Sequence, residues 1–442
     1  MNCARENVKD CIVIGAGAAG LAAAHALATS GLKIKVLECE AEVGGRARTD
    51  VKHGVVFERG AGFIANFYSS TLALAAEAGV TFHAPAIVPG RSGRIHKLLT
   101  PKGLVSHNIA TPLGFLCSPL LSSRDKVRAV GAMLRLHFRG APHIANLEAL
   151  ARDDDGIDAA QWGGCTFGSD AVDYVVRTAV EPFFYFGIEE ISATVARSIL
   201  HHAIGWRPLV ASGGMGELFR AFARPLEIRL GVRVCAIETA GSRIVISHSS
   251  GQDEARAVIV AIPAPAIREI DIALTADDRI DLESIEYVPS VRANLGYDRR
   301  SVLSAPLITI AGPGRHRISG ISEMSAWNPD RVPAGKEVVR ISATASLSRE
   351  LLDRDDQEVI VELINECNKL GIRVPNPEWT DVVSIRDALV LPSPGHFRKT
   401  FRFVQRPRQQ IHFAGDWLTG STIEGAVRSG LTAARAVLAE LR

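Results

Sequence analysis

Three glycines in Gly15-Ala16-Gly17-Ala18-Ala19-Gly20 stand at the spacing that brings a backbone against a dinucleotide pyrophosphate. Gly15 permits a tight turn from strand to helix, Gly17 lets backbone NH groups approach phosphate, and Gly20 lets the helix pack on the sheet. Ala18 and Ala19 open that helix, whose N-terminus carries partial positive charge. Glu38, followed by Cys39, comes about 20 residues later, where a carboxylate accepts hydrogen bonds from ribose hydroxyls and repels a 2′-phosphate. The motif suits FAD or NAD rather than NADP. The bland alternative is a glycine-rich turn in a nucleotide-free α/β domain, and the strand, helix and acid together count against it.

The elements needed to position that turn are legible around it. Residues 10–14 read as a short buried strand, 21–30 as an alanine-rich helix and 33–37 as a second strand ending on Glu38. Farther on, 67–83 carries a helical pattern, 88–106 reads as irregular or β-rich, and 113–204 reads as mainly helical. A helix over 217–222 and strands over 229–238, 243–247 and 257–262 follow, then strands at 290–297 and 337–345 and a helix at 356–370. A strand at 411–414, a turn at Gly415-Asp416 and a helix over 424–441 complete the pattern. No repeat at fixed period is present, which excludes solenoids.

The 442 residues exceed the roughly 100–200 of a single domain, so two domains are expected. A net charge of +2 gives no electrostatic case for a nucleic-acid partner. The seven cysteines are scattered singly, without zinc-site or CxxC spacing, so no metal site is expected and a reduced, cytoplasmic setting fits best. The apolar run 11–28 imitates a signal-peptide core, but three glycines and His25 interrupt it and no strongly basic leader precedes it.

Gly44-Gly45-Arg46-Ala47-Arg48-Thr49 follows the acidic residue, and Glu58-Arg59-Gly60-Ala61-Gly62-Phe63 lies some ten residues on. Far along the chain come His412-Phe413-Ala414-Gly415-Asp416 and Ser421-Thr422-Ile423-Glu424-Gly425-Ala426. On these segments the chain resembles the flavin-dependent amine oxidase, protoporphyrinogen oxidase and phytoene desaturase superfamily. The resemblance implies FAD, held non-covalently because no cysteine lies near the closing motif. It implies that Arg46 pairs with the pyrophosphate, where a guanidinium suits phosphate oxygens, and that Gly45 and the Gly60, Ala61, Gly62 and Phe63 segment line the flavin. Asp416, next to Gly415, would bind ribityl or pyrophosphate-linked groups, and the helix starting near Thr422 and Ile423 would aim its dipole at the flavin. Ser421 and Glu424 also fit a capping box that needs no ligand. Val234 falls at the adenine-contacting position, and Ser212-Gly213-Gly214-Met215 resembles a glycine-rich segment near the active site.

The resemblance also bears on chemistry. A flavin accepts a hydride directly, so the protein need only orient the substrate and exclude water. Amine oxidases of the superfamily carry a lysine near the flavin on the strand that here reads Ser290–Tyr297; an ungapped reading puts Ala293 there. Thr422 replaces an aromatic cage residue. Both departures count against simple amine oxidation with peroxide release, which becomes the alternative to dehydrogenation of an apolar or heterocyclic small molecule; with no second GxGxxG after a strand to bind NAD(P)H, oxygen or a quinone is the expected electron acceptor. A rival of another class is a non-catalytic interaction protein like the Rab GDP-dissociation inhibitors, which share the fold without using a flavin. Phe183, Phe184, Tyr185, Phe186 and Trp206 are candidate cavity residues, though aromatic clusters are commonly core; His201 and His202 are candidate proton handlers.

The expected fold class is α/β: a Rossmann-like, glutathione-reductase-type FAD domain with an inserted mixed α+β substrate domain containing a mainly helical segment. The FAD domain is expected over 1–85, 208–275 and 387–442, and the substrate domain over 86–207 and 276–386. Region 109–138, apolar with several arginines, could touch a membrane peripherally or form a substrate-domain helix pair.

Overall fold

The computed structural model describes residues 8–86, 96–101, 103–106, 111–300, 302–310 and 316–442. Of the expected irregular region 88–106, only 96–101 and 103–106 fall within it, and residues 109–110 of the apolar region lie outside it.

The βαβ start forms as the sequence dictates. Strand Lys9–Ile14 runs into helix Ala18–Thr29, and the chain returns through strand Ile34–Leu37, parallel to the first. The Val- and Ile-rich strand ends are buried on both faces, as parallel sheets require. This sheet has the order Glu227–Arg229, Ile34–Leu37, Lys9–Ile14, Gly251–Val260, Arg243–His248, Val234–Ala240 and Asp271–Ile272. Strand Ile411–Phe413 pairs in parallel with the end of Gly251–Val260, so the closing motif arrives beside the opening one. Helices Ala18–Thr29, Gly216–Ala223 and Ile423–Leu441 cover one face, with Leu21, Leu27, Leu218, Phe219 and Val427 in a common core. On the other face lie helices Ala276–Glu283 and His396–Gln405, with Phe403 and Trp417 buried.

A second, seven-stranded sheet has the order Trp379–Leu391, Glu286–Tyr297, Glu337–Ala343, Ile318–Glu323, Leu307–Ile310, His96–Thr100 and Gly103–Ser106. Alternation decides its two faces. Val291, Ala293, Ile308, Val339 and Ile341 point into a core with helices Ala345–Leu351 and Asp356–Lys369. Arg292, Leu307, Thr309, Arg340 and Ser342, the intervening residues, face a cavity. The cavity's far wall is the helical stretch expected over 113–204, from Pro112–Cys117 to Ala193–Ala203. Inside it, Val172–Arg177 winds as a π-helix, the widened turn often found at functional sites.

The fold is therefore a Rossmann-like α/β unit with a mixed α+β unit, as expected from sequence. Several details differ. The expected strand 229–238 is two strands, Glu227–Arg229 and Val234–Ala240, split where Gly231 takes a left-handed φ of 69°. The expected helix 67–83 is helix Ser69–Glu77 followed by strand Phe82–His83. The boundary expected at 386/387 falls inside the 13-residue strand Trp379–Leu391, which leaves the second sheet only at its end.

Candidate active site

Glu38 sits just past the second strand, buried, and its carboxylate accepts from the backbone NH of Ala16 at 2.6 Å and of Glu40 at 2.9 Å. That fixes the acid against the glycine turn. Arg229 and Val232 bond to the backbone of Glu38 and bring Val234, also buried, to the same edge. Gly15 adopts a φ of +100°. A Cβ on Gly20 would meet the carbonyl oxygen of Gly15 at 1.9 Å, whereas a Cβ on Gly17 would meet nothing within 4 Å. So Gly20 serves packing, and Gly17 faces open space at the start of a helix that has no side-chain cap and no acidic residue in its first turn. An open, uncapped, electropositive cradle beside a buried acid fits the adenosine and pyrophosphate of FAD.

Gly44 and Gly45 both take left-handed backbone, with φ of 104° and 52°, and Gly44 donates to the carbonyl of Ala16 at 2.8 Å. The bend carries Arg46 to the closing motif, where its guanidinium donates to Asp416 at 2.6 Å and to the carbonyl of Ala388 at 3.0 Å. Ala61 donates to the carbonyl of Arg46 at 3.2 Å, and a Cβ on Gly60 would meet that carbonyl at 2.0 Å. Gly60 and Ala61 therefore run tight against the Arg46 turn, and Gly62 lies beside the Glu58 side chain. Gly415 donates to Ser429 at 2.9 Å, and Thr422, with Ile423 behind it, caps the last helix by accepting from Gly425 at 3.0 Å. The capping box expected from Ser421 and Glu424 does not form. Ser421 accepts instead from the backbone NH of Val390, and the fully buried Glu424 accepts from Ser70 NH at 3.0 Å, Thr71 NH at 2.9 Å and Thr71 Oγ1 at 2.8 Å. It binds the start of a different helix, because its own N-terminus already has Thr422.

Beyond Gly60 and Gly62 lies a cavity of ≈ 440 Å³. Phe63 lines it, stacked on Trp327 with ring centroids 5.9 Å apart and edge-on to Phe183 and Trp206. Phe184 and Tyr185 also line it. Its other end is polar: Arg292, Asn328, Arg331, Arg340 and Glu58 share the wall. Glu58 pairs with Arg331 at 2.7 Å and accepts from Thr49 Oγ1 and from the Met215 NH at the end of the Ser212–Met215 turn. Burial pushes its carboxyl above the usual range, against the pull of Arg331.

Five expected residues are corrected. Ala293 is fully buried in the core behind the second sheet, and the cavity-facing residue of that strand is its neighbour Arg292. Thr422 and Phe186 line a separate small void beside Gly420 rather than the main cavity. His201 and His202 stand behind the wall, His202 stacked on Phe67 at 4.3 Å, and neither lines the cavity. Burial pushes His202 below its ordinary value. The residues missed from sequence are Arg331, Arg340, Asn328 and His96; long-range pairing brings them together, and strand alternation around 337–343 was the available signal for Arg340.

Comparison with known proteins agrees with this geometry. The model of the family described as flavin containing amine oxidoreductase matches residues 18–438. AofH of Mycobacterium tuberculosis, assigned as a flavin-containing monoamine oxidase, is 26% identical over 98% of this chain and 97% of its own. The hydroxysqualene dehydroxylase of Rhodopseudomonas palustris is 25% identical over 97% of this chain and 98% of its own. A solved structure from Exiguobacterium sp. 255-15, assigned as a protoporphyrinogen oxidase, shares the fold with a TM-score of 0.77 at 19% identity, over 98% of this chain and 99% of that one. Glycine cradle, buried acid, closing motif and family match converge: the chain belongs to the flavin containing amine oxidoreductase family and is a FAD-dependent oxidoreductase.

Proposed function

We propose that the protein dehydrogenates an apolar or heterocyclic small molecule, with oxygen or a quinone as the terminal electron acceptor. The observation that carries this reading is the aromatic-walled cavity of ≈ 440 Å³ that reaches Gly60 and Gly62. FAD in the glycine cradle supplies an acceptor for the hydride, and the second hydrogen leaves as a proton. Gly15, Gly17, Glu38 and Arg46 hold its adenosine and pyrophosphate. Phe63, Phe183, Trp206 and Trp327 pack against a ring or chain, orient it and exclude water.

Oxidation of an amine to an imine with release of peroxide is the second reading. Arg292 favours it, because a cation rather than Ala293 faces the cavity from the strand where amine oxidases of the superfamily carry lysine. The excess of guanidinium over carboxylate on the same wall opposes it, since an ammonium group would be repelled. Anaerobic mixing of the FAD-loaded protein with porphyrinogens, polyenes and amines separates the two. Bleaching of the oxidised flavin band by porphyrinogens or polyenes supports dehydrogenation, and bleaching by amines alone overturns it.

Among the described residues no helix is long and apolar enough to cross a membrane. Helices Pro112–Cys117 and Ser123–Arg139 expose Leu113, Val127, Leu134 and Phe138 near Arg124, Lys126 and Arg135, while Phe115 and Met133 line the cavity from the same helices. This supports peripheral membrane contact in taking up an apolar substrate. Failure to co-sediment with anionic vesicles would remove that part of the reading.

A further inference from the structure

Two guanidiniums on the cavity wall, Arg340 and Arg292, have no carboxylate in direct contact among the described residues, Glu58 acting on Arg340 only at longer range. Arg340 makes one hydrogen bond, from Nε to Asn294 Oδ1 at 2.9 Å, and Arg292 donates to the carbonyls of Arg59 and Gly60. Neither forms an ion pair among the described residues. Arg331 has Glu58, so three arginines share one carboxylate on this wall, and His96 can only add positive charge.

Polar atoms are also left over. Arg340 Nη2, Arg292 Nε, Arg331 Nε and both amide atoms of Asn328 are buried without a hydrogen-bond partner, and Asn328 is 3% exposed. Tyr185 lies in electrostatic range of Arg340 and is held at a φ of 65°, a left-handed backbone that strains a non-glycine residue. Burial, with Arg292 nearby, pushes Arg340 down to about 10. Unpaired buried charge and orphaned amides are costly, and such features persist where a ligand completes them. The oxidised isoalloxazine ring is uncharged and so does not balance the guanidinium charges.

We propose that Arg340 and Arg292, with Asn328 and Tyr185, form a subsite for the carboxylate of an otherwise apolar substrate. A guanidinium fork matches the two oxygens of a carboxylate, the Asn328 amide and Tyr185 hydroxyl can donate to the same group, and the aromatic wall takes the apolar remainder. The assignment rests on reading the cavity as the substrate site and narrows the substrate to an amphipathic acid.

Calorimetric titration of the FAD-loaded protein with decanoate and with decanamide tests it by heat of binding, without turnover. Decanoate is expected to bind about tenfold or more tightly than the amide, as suits a charge-assisted contact. Arg340→Gln should abolish that preference and Arg340→Lys should restore part of it. Equal affinity of the two ligands in the unaltered protein, or undiminished decanoate binding in Arg340→Gln, overturns the subsite. Should Arg340→Gln fail to retain FAD, the comparison in the unaltered protein decides alone. Neutral polyenes that bleach the flavin without any decanoate preference would sink the subsite and leave the dehydrogenase reading standing; decanoate preference with bleaching by amines alone would do the reverse.

Discussion

The guanidinium of Arg46 meets the carboxylate of Asp416 at 2.6 Å, across 370 positions of sequence. The pair ties the turn after the opening βαβ motif to the closing motif, and Arg46 also lies over the Tyr287 ring, 5.5 Å from its centroid. Three separate parts of the chain thus meet at one cation.

Removing Asp416 should therefore do more than delete one contact. Asp416→Ala leaves Arg46 without its ion partner in a largely buried place, and breaking such a pair costs roughly 3–5 kcal/mol when fully buried and less here, where the Arg46 side chain is 29% exposed. The expected result is a lower Tm together with a reduced flavin-to-protein absorbance ratio. Asp416→Asn should show the same direction with a smaller loss.

The glycines separate cofactor binding from folding. Gly17→Ala adds a methyl group into open space, so the apoprotein should keep its Tm while FAD affinity falls. Gly430→Ala places its Cβ 2.1 Å from the carbonyl oxygen of Ala19, where the first and last helices touch. Overpacking there should cost roughly 1–3 kcal/mol whether or not FAD is present. Chemical denaturation of the apoproteins distinguishes the two; equal stability losses would contradict the assignment.

His396 gives the fold an acid limit. It is buried, and burial pushes its imidazole from 6.5 down to about 4, against a hydrogen bond to the Trp417 backbone. Between those values the unfolded chain binds a proton that the native state does not, so stability falls as pH drops from about 6.5 towards 4. The loss attributable to this residue is roughly 3 kcal/mol. Tm should fall less steeply between pH 7 and pH 5 in His396→Asn than in the unaltered protein.

The cavity strand offers a sharper test. Ala293→Lys forces a charge into a fully buried core position and should prevent stable folding. Arg292→Lys keeps a cation on the cavity face and should fold, with flavin bound and a Tm within a few degrees. A well-folded Ala293→Lys protein would show that the strand register is wrong.

Arg292 and Ala293 also show where the sequence stopped being legible. The glycine turn, Glu38, the Arg46 segment and the last helix could be read because their chemistry is local, set by residues within a few positions of one another. The cavity wall depends on which of two alternating faces a strand presents, and a shift of one residue exchanges them. That choice is set by the pairing of Glu286–Tyr297 with Glu337–Ala343 and Trp379–Leu391, partners tens of residues away. Arg340 gains meaning only through such a pairing, and Arg331, on the turn Pro329–Arg331, only through its contact with the distant Glu58. The same limit explains Glu424, whose spacing suggested a cap for its own helix and whose carboxylate serves Ser70 and Thr71 instead.

Strand Trp379–Leu391 begins at the edge of the second sheet, opposite Gly296. Near its end Ala388 accepts from Arg46, Val390 donates to Ser421, and the next residue but one, Pro392, accepts from Ser192 in the helical wall. One continuous ribbon is thus stitched to the Arg46 turn, to the closing motif and to the helical wall, so any opening about this strand would have to break those bonds.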